Sequence, residues 1–420
     1  MNQIIYFLIA SFLFLLRSFT DYRILSISIP LILLIIVFFS ISKGKDYFLI
    51  AILSLPFFEL FEVFNNSPPI SIPYVALSIF ILFTYLNYYK SINLYLFFQI
   101  SFITILALLS LILNAFKIEI LFYIFKLSIS SMLILLASRI DMSCLIKMPK
   151  NIFYNKLVRY IKIIFSILLY FFFIEFISAN IFPGLRDNIL VGHDWRPIGF
   201  MSEPTYISFY LLIIAINYFY VVGLTKEFFV SLFALAINLS RTSFPSLLFS
   251  LFFVNTLKIN GLYISKKLFK NILIFIVSLL MIYSLFIFIL NVSTNKYILE
   301  NLDYKRFVQF FDSGRLSRYD DFKELFTSMG NTLFIQSYYQ KINSTGVYLM
   351  QLLGSFGSIF GTFIFLIISF NLILYFGYIG TILILSTFFH PFQFSSILLL
   401  CLIIQSTLRS LNSVLIKELA

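Results

Sequence analysis

The run Arg196-Pro-Ile-Gly-Phe-Met-Ser-Glu-Pro-Thr-Tyr206 sets an arginine and a glutamate either side of a glycine, between two long apolar stretches. Gly199 offers a turn. Pro204 opens a helix, because the first helical turn needs no donated N–H. The start of that helix carries free N–H groups and a partial positive charge, so an anion can bind there. Arg196 adds a planar fork that never loses its proton and suits phosphate. Glu203 is then a candidate general base beside a bound anion. Each residue also has a purely structural reading: Glu203 complements the helix dipole, and Arg196 anchors the chain at an interface.

Three more arginines extend the pattern. Arg241 lies in Leu239-Ser-Arg-Thr-Ser-Phe-Pro245, between two short apolar segments. An ionisable residue at such depth marks a functional site by default; the alternative is snorkelling to the headgroups. Arg315 and Arg318 fall in Asp312-Ser-Gly-Arg-Leu-Ser-Arg-Tyr-Asp-Asp-Phe-Lys-Glu-Leu325, which reads as a capped helix after a Gly314 turn. Three residues apart, they share a face, either for a ligand or for solvent. Asp320 and Asp321 are bases or helix caps, and His390 before Pro391 reads as structural. Within apolar stretches stand Glu59, Glu62, Lys126 and Glu175. Glu175 is the deepest; it lines a cavity or pairs with a buried cation.

The elements that must position these residues are membrane helices. The chain is 61% hydrophobic, with mean hydropathy +1.00 and 11% charged residues, against about 25% in soluble proteins. Apolar runs long enough to span a bilayer recur from end to end. The fold expected is an all-α polytopic integral membrane protein of about 14 transmembrane helices, read as one membrane domain over 1–420. The alternating segments of an outer-membrane barrel are missing. Spans are expected near 3–19, 24–42, 47–64, 70–88, 92–114, 118–138 and 160–181. Others follow near 204–222, 227–240, 244–258, 271–291, 346–368, 371–389 and 393–410. The first reads as a retained span, because it has neither a basic start nor a small-residue cleavage site. No internal repeat is visible.

Charge sets the orientation. The segment 139–159 holds Arg139, Lys147, Lys150, Lys156 and Arg159 against Asp141, and 258–270 holds Lys258, Lys266, Lys267 and Lys270. Both are expected in the cytoplasm, with both termini; Arg17 and Arg23 run against the rule. Two segments then fall on the other side. One is 182–203. The other is 292–345, a long polar loop with seven Lys/Arg and six Asp/Glu and helical patterning of its own. A loop of that length is usually functional. The net charge of +12 sits in short loops between spans, which argues against a nucleic-acid partner. Cys144 and Cys401 lie far apart at the cytoplasmic side and suggest neither a disulfide nor a metal site. Two histidines cannot make a zinc motif. No cofactor is expected.

Three of these patterns resemble those of bacterial O-antigen polymerases, within the polymerase and ligase family of polysaccharide assembly. Arg196-Pro-Ile-Gly-Phe-Met-Ser-Glu-Pro is similar to that family's Arg-x-x-Gly-x-x-x-Glu-Pro stretch before a transmembrane helix. Leu239-Ser-Arg-Thr resembles its Ser-Arg-Thr/Gly element. Ser313-Gly-Arg-Leu-Ser-Arg-Tyr319 resembles the Ser-Gly-Arg segment of its large periplasmic loop. There are departures. The family's ligases and many of its polymerases carry a His-Asn pair after the large loop, where this chain reads Lys341-Ile-Asn-Ser-Thr-Gly346, and Tyr319 stands where Trp is common.

The resemblance implies a multi-pass glycosyltransferase of the bacterial inner membrane. It would join lipid-linked repeat units on the periplasmic face, in lipopolysaccharide biosynthesis. Donor and acceptor would be undecaprenyl-pyrophosphate-linked oligosaccharides, with a chain-length regulator and a flippase as further partners beside the bilayer. Arg196, Arg241 and Arg315 would hold the pyrophosphate, with Arg318 as an addition. Glu203 would take the acceptor's proton. Arginines preorganised at the leaving pyrophosphate would do the work of a metal. Two alternatives stand beside this reading. One is a flippase for the same lipid-linked oligosaccharide, which also needs a cationic cavity. The other is the O-antigen ligase, which the missing histidine disfavours.

Overall fold

Helix α5 (Leu94–Leu113) shows how this chain distributes its polarity. Phe98 and Ile112 are 61% and 59% exposed, whereas Gln99 and Ser110 are 8% and 0% exposed. The outward face is covered by large apolar side chains, and the inward face mixes Gln99 and Ser110 with Leu96, Ile103 and Leu106. A water-soluble helix keeps its outward face polar, and this arrangement fits a lipid surround, where small and hydroxyl-bearing residues make the helix contacts.

The computed structural model describes residues 2–19, 22–58, 70–89, 93–113, 118–181, 348–376 and 395–419. It also describes residues 207, 210–212, 230–231, 233–234 and 384. The described residues are helical, with no strand among them. The helices are α1 (Asn2–Phe19), α2 (Tyr22–Ser42), α3 (Tyr47–Ser54), α4 (Ile72–Tyr88), α5, α6 (Ile118–Ala137), α7 (Lys150–Ile181), α8 (Tyr348–Phe376) and α9 (Ser396–Leu419). Among the described residues, three stretches are long and apolar enough to cross a membrane: Leu94–Ile112, Lys150–Ser178 and Ile359–Phe376. Shorter apolar helices accompany them, among them Gln3–Leu16, Ile72–Tyr88 and Ser396–Leu411.

Helices α1, α2, α4, α5 and α6 lie where the apolar runs put them. Helix α3 is shorter than its run. It passes into a 3-10 turn at Leu55–Phe58, where Pro56 lacks the N–H that would continue an α-helix. Helix α7 begins at Lys150 rather than near 160; its first turns carry Lys156 and Arg159, which a hydropathy window discounts. Helix α1 packs along α7 through Phe7 on Tyr170, ring centres 5.8 Å apart, and Phe14 on Phe171 at 6.3 Å. The loops 182–203 and 292–345 and the spans expected from 244 to 291 lie outside the described residues. So do most of those expected from 204 to 240.

Helix α8 departs from the expected span 346–368, while of the expected span 371–389 only residues 371–376 and 384 are described. Its backbone breaks at Gly357, with φ 82° and ψ 170°, a region open essentially to glycine alone. A Cβ placed on Gly361 would sit 2.6 Å from the carbonyl oxygen of Leu352. In a continuous helix these two residues would be about 13 Å apart along the axis. The rings of Tyr348 and Phe365 also meet, with centres 6.4 Å apart. Both pairs are symmetric about the break, so the chain folds back there. A short arm (348–356) lies against a long arm, and the long arm contains the apolar crossing Ile359–Phe376.

Candidate functional site

The clusters in the described residues stand at one end of the bundle and in its interior. The end cluster gathers where α4, α6, α8 and α9 meet. Tyr85 and Tyr89, one turn apart on and just after α4, stack with ring centres 4.8 Å apart. Tyr85 donates to the Leu136 carbonyl and Tyr89 to the Arg139 carbonyl, both at 3.1 Å. The Leu136 carbonyl is in the last turn of α6 and also accepts from the Arg139 N–H at 3.0 Å, and the Arg139 carbonyl lies just past that helix end. The Tyr89 oxygen also accepts from the Asp141 N–H at 2.8 Å. Burial pushes the Tyr89 hydroxyl up to about 12, which keeps it a donor.

Arg139 completes this cluster. Its guanidinium lies 3.5 Å from the Tyr375 ring centre and donates to Asn371 Oδ1 at 3.2 Å. Burial lowers its pKa, and the neighbouring Tyr375 opposes the shift. Arg409 stands 4.8 Å from the same ring and donates to the Tyr375 carbonyl at 2.6 Å. Asp141 accepts from the Ser143 N–H and from the hydroxyls of Ser143 and Ser410. Thr407 ties Met142 to α9. Near the start of α7, Lys156 pairs with Asp46 at 2.9 Å and Tyr160 donates to the same carboxylate. Burial pushes the Asp46 carboxyl up, but the hydrogen bonds from Lys156 and Tyr160, a backbone hydrogen bond and the Lys156 charge together hold the group below its ordinary value. The basic residues of 139–159 thus share one end of the bundle with Arg409. The neighbours of Arg139, Arg409 and Lys156 are the Tyr375 ring and carbonyl, the Asn371 amide and the Asp46 carboxylate, which makes this end a fastener.

The interior cluster lies between α5, α6 and the short arm of α8. Tyr348, Gln351 and Ser355 form one stripe of the arm and are 1%, 1% and 2% exposed. The Tyr348 and Ser131 hydroxyls are 2.7 Å apart. Ser110 donates to the Ser355 carbonyl at 2.9 Å, one of the carbonyls that the break at Gly357 frees. Helix α6 contributes Ser131 to this region; Lys126, Ser128 and Ser130 are buried elsewhere round the same helix. Gln99 Oε1 and Ser355 Oγ are buried without a hydrogen-bond partner among the described residues. Hydropathy averaging hides this seam. Its signals are Gly354, Gly357 and Gly361 within one apolar run and the serine-rich stretch that includes Ser131.

Compared with known protein families, curated proteins and solved structures, the chain matches none.

The residues singled out for chemistry, Arg196, Glu203, Arg241, Arg315 and Arg318, lie outside the described residues, as do Asp320, Asp321 and His390. The helix that Pro204 was expected to open is seen in part. Ile207 and residues 210–212 are helical and fully buried. The Tyr210 ring meets Phe57 with centres 6.3 Å apart, and its hydroxyl donates to the Leu53 carbonyl. Phe57 in turn packs on Phe171 of α7 at 6.1 Å. Glu175 is one turn beyond Phe171 on the same face of α7 and is fully buried. Both it and Lys126 interact with other groups in the bundle.

Proposed function

We propose that this chain is an inner-membrane glycosyltransferase that polymerises undecaprenyl-pyrophosphate-linked O-antigen repeat units at the periplasmic face. The observation that carries the reading is the Arg196-to-Pro204 motif ahead of a helix whose residues at 207 and 210–212 are fully buried. The outward-apolar helices support it at the coarser level, since they fit a lipid bilayer. Breaking a sugar–phosphate bond builds negative charge on the leaving pyrophosphate. Arg196, Arg241 and Arg315 stabilise that charge, Arg318 adds to it, and Glu203 accepts the proton of the attacking hydroxyl. Arginine forks grip the phosphates without a metal ion.

Lipopolysaccharide from a strain lacking this chain tests the reading. Core capped with a single repeat unit is the expected product. Bare core would replace the polymerase with the flippase or the ligase, and an unchanged ladder would remove the chain from this chemistry altogether.

A further inference from the structure

We propose that the short arm of α8 is a hinged wall. The seam it closes against α5 and α6 is a binding site for a neutral, hydroxyl-rich group, namely a sugar ring. The assignment of that ring to a lipid-linked repeat unit rests on the transferase reading.

The backbone supports a hinge. The arm is joined to the long arm at Gly357, in a conformation that side-chain-bearing residues rarely adopt. The arm has nine residues, so it extends about 13 Å and cannot cross a bilayer. Its depth follows from its contacts. Ser131 stands six residues before Ala137, the end of α6 at the tyrosine–arginine cluster, so Tyr348 lies about 9 Å inside that end. Ser110 is three residues from the opposite end of α5, so the Gly357 turn lies towards the far side. A folded-back half-helix inside a membrane protein is tolerated where protein encloses it or where it lines a polar path. Side-chain contacts hold it at each end, Ser131 with Tyr348 and Ser110 with the Ser355 carbonyl.

The chemistry of the seam points to hydroxyls. Its groups are an aromatic ring, two carboxamides and several serines: Tyr348, Gln351, Gln99, Ser355, Ser110 and Ser131. Amides and hydroxyls both give and accept hydrogen bonds, as sugar hydroxyls do, and an aromatic face packs on the C–H side of a sugar ring. Gln99 and Ser110 lie on one face of α5, three turns apart. The orphaned oxygens of Gln99 and Ser355 give the seam unfilled hydrogen-bonding capacity, and buried polar groups of this kind call for a partner. Opening the arm about Gly357 uncovers Ser355 beside the hinge; Gln99, about three turns along α5 from Ser110, then meets a neighbouring ring of the same repeat unit.

Cysteine accessibility tests this in the full-length protein, in membrane vesicles, after Cys144→Ser and Cys401→Ser. Thiols react with a water-soluble methanethiosulfonate only where water reaches them. Ser355→Cys is expected to react at least about tenfold faster than Phe363→Cys, which faces outward on the long arm. The probe for the sugar is the lipid-linked repeat unit that accumulates in cells lacking this chain, and it is expected to slow labelling several-fold. Gln99→Cys provides the same comparison if Ser355→Cys fails to fold. Labelling no faster than at Phe363→Cys overturns the seam as a site. Fast labelling that the probe leaves unchanged overturns the sugar as its occupant. An unchanged lipopolysaccharide ladder in the deletion strain defeats the transferase reading separately, whatever the labelling shows.

Discussion

The tyrosine–arginine end cluster and the seam behind the short arm are built from similar residue types but finished differently. At the end cluster, hydroxyls and guanidinium groups meet carbonyls, rings or carboxylates, and of the Arg139 guanidinium Nε is buried without a hydrogen-bond partner among the described residues. Tyr89 alone serves two backbone groups, and Tyr375 accepts from Arg409 while seating Arg139. In the seam, Gln99 Oε1 and Ser355 Oγ stay without partners among the described residues. Polar groups that stabilise a fold are saturated by it, because a buried orphan costs more than a made bond returns. Arg139 Nε belongs to a group otherwise seated on a ring and an amide, whereas in the seam the orphans are a hydroxyl and an amide oxygen, and we read those two as the place where the chain meets a ligand.

The largest expected effect tests the fold that makes the seam. Gly361→Leu forces a side chain into the Leu352 backbone, since even a Cβ would stand 2.6 Å from its oxygen. Thermal unfolding in detergent should show a loss of roughly 3 kcal/mol, or no folded protein. A normal melting curve would mean that the arms do not lie together.

Arg139→Ala should come next, costing about 2 kcal/mol through the Tyr375 ring and Asn371 contacts. Tyr89→Phe should follow at about 1 kcal/mol, because it strands the Arg139 carbonyl and the Asp141 N–H. If either variant abolished chain extension at unchanged stability, the end cluster would be a site as well as a fastener.

Acid gives a smaller, signed effect. The Asp46 carboxyl is held below its ordinary value. Its contribution is therefore fully present above that value and is lost as pH falls below about 4. Asp46→Asn should flatten the acid limb of a melting-temperature profile. An unchanged limb would show that the pair with Lys156 contributes nothing.

The smallest effect sharpens the contrast most. Ser355→Ala and Gln99→Leu remove orphans, so each should leave stability unchanged or raise it by up to about 1 kcal/mol. A loss comparable to Tyr89→Phe would show that these groups are bonded in the folded protein, and the distinction between the two regions would collapse.

How far the sequence reveals this architecture depends on what each feature leaves in a pattern. Helices α1, α2, α4, α5 and α6 are legible because continuous apolar runs leave no other way to satisfy the backbone in lipid. The reversal in α8 is not, because a window average registers hydrophobicity and is blind to φ; three nearby glycines were the available sign. Arg139 and Lys156 read from the sequence as topogenic loop charges. Their seats on Tyr375 and Asp46 depend on residues more than a hundred positions away. Glu175 and Lys126 stood out as charges in apolar runs, and both are buried. The arginines proposed to hold pyrophosphate lie beyond the described residues, and motif and topology carry their convergence.

Reconstitution tests the central claim most directly. Purified protein in vesicles, given lipid-linked repeat units and EDTA, should convert them into a ladder of longer lipid-linked chains. Arg241→Lys should lose most of that conversion although the charge is kept, because an ammonium cannot reproduce a bidentate phosphate contact. Lys267→Ala should leave it intact. Repeat units that stay unextended with the unaltered protein, in EDTA and after Mg²⁺ is restored, would contradict the account.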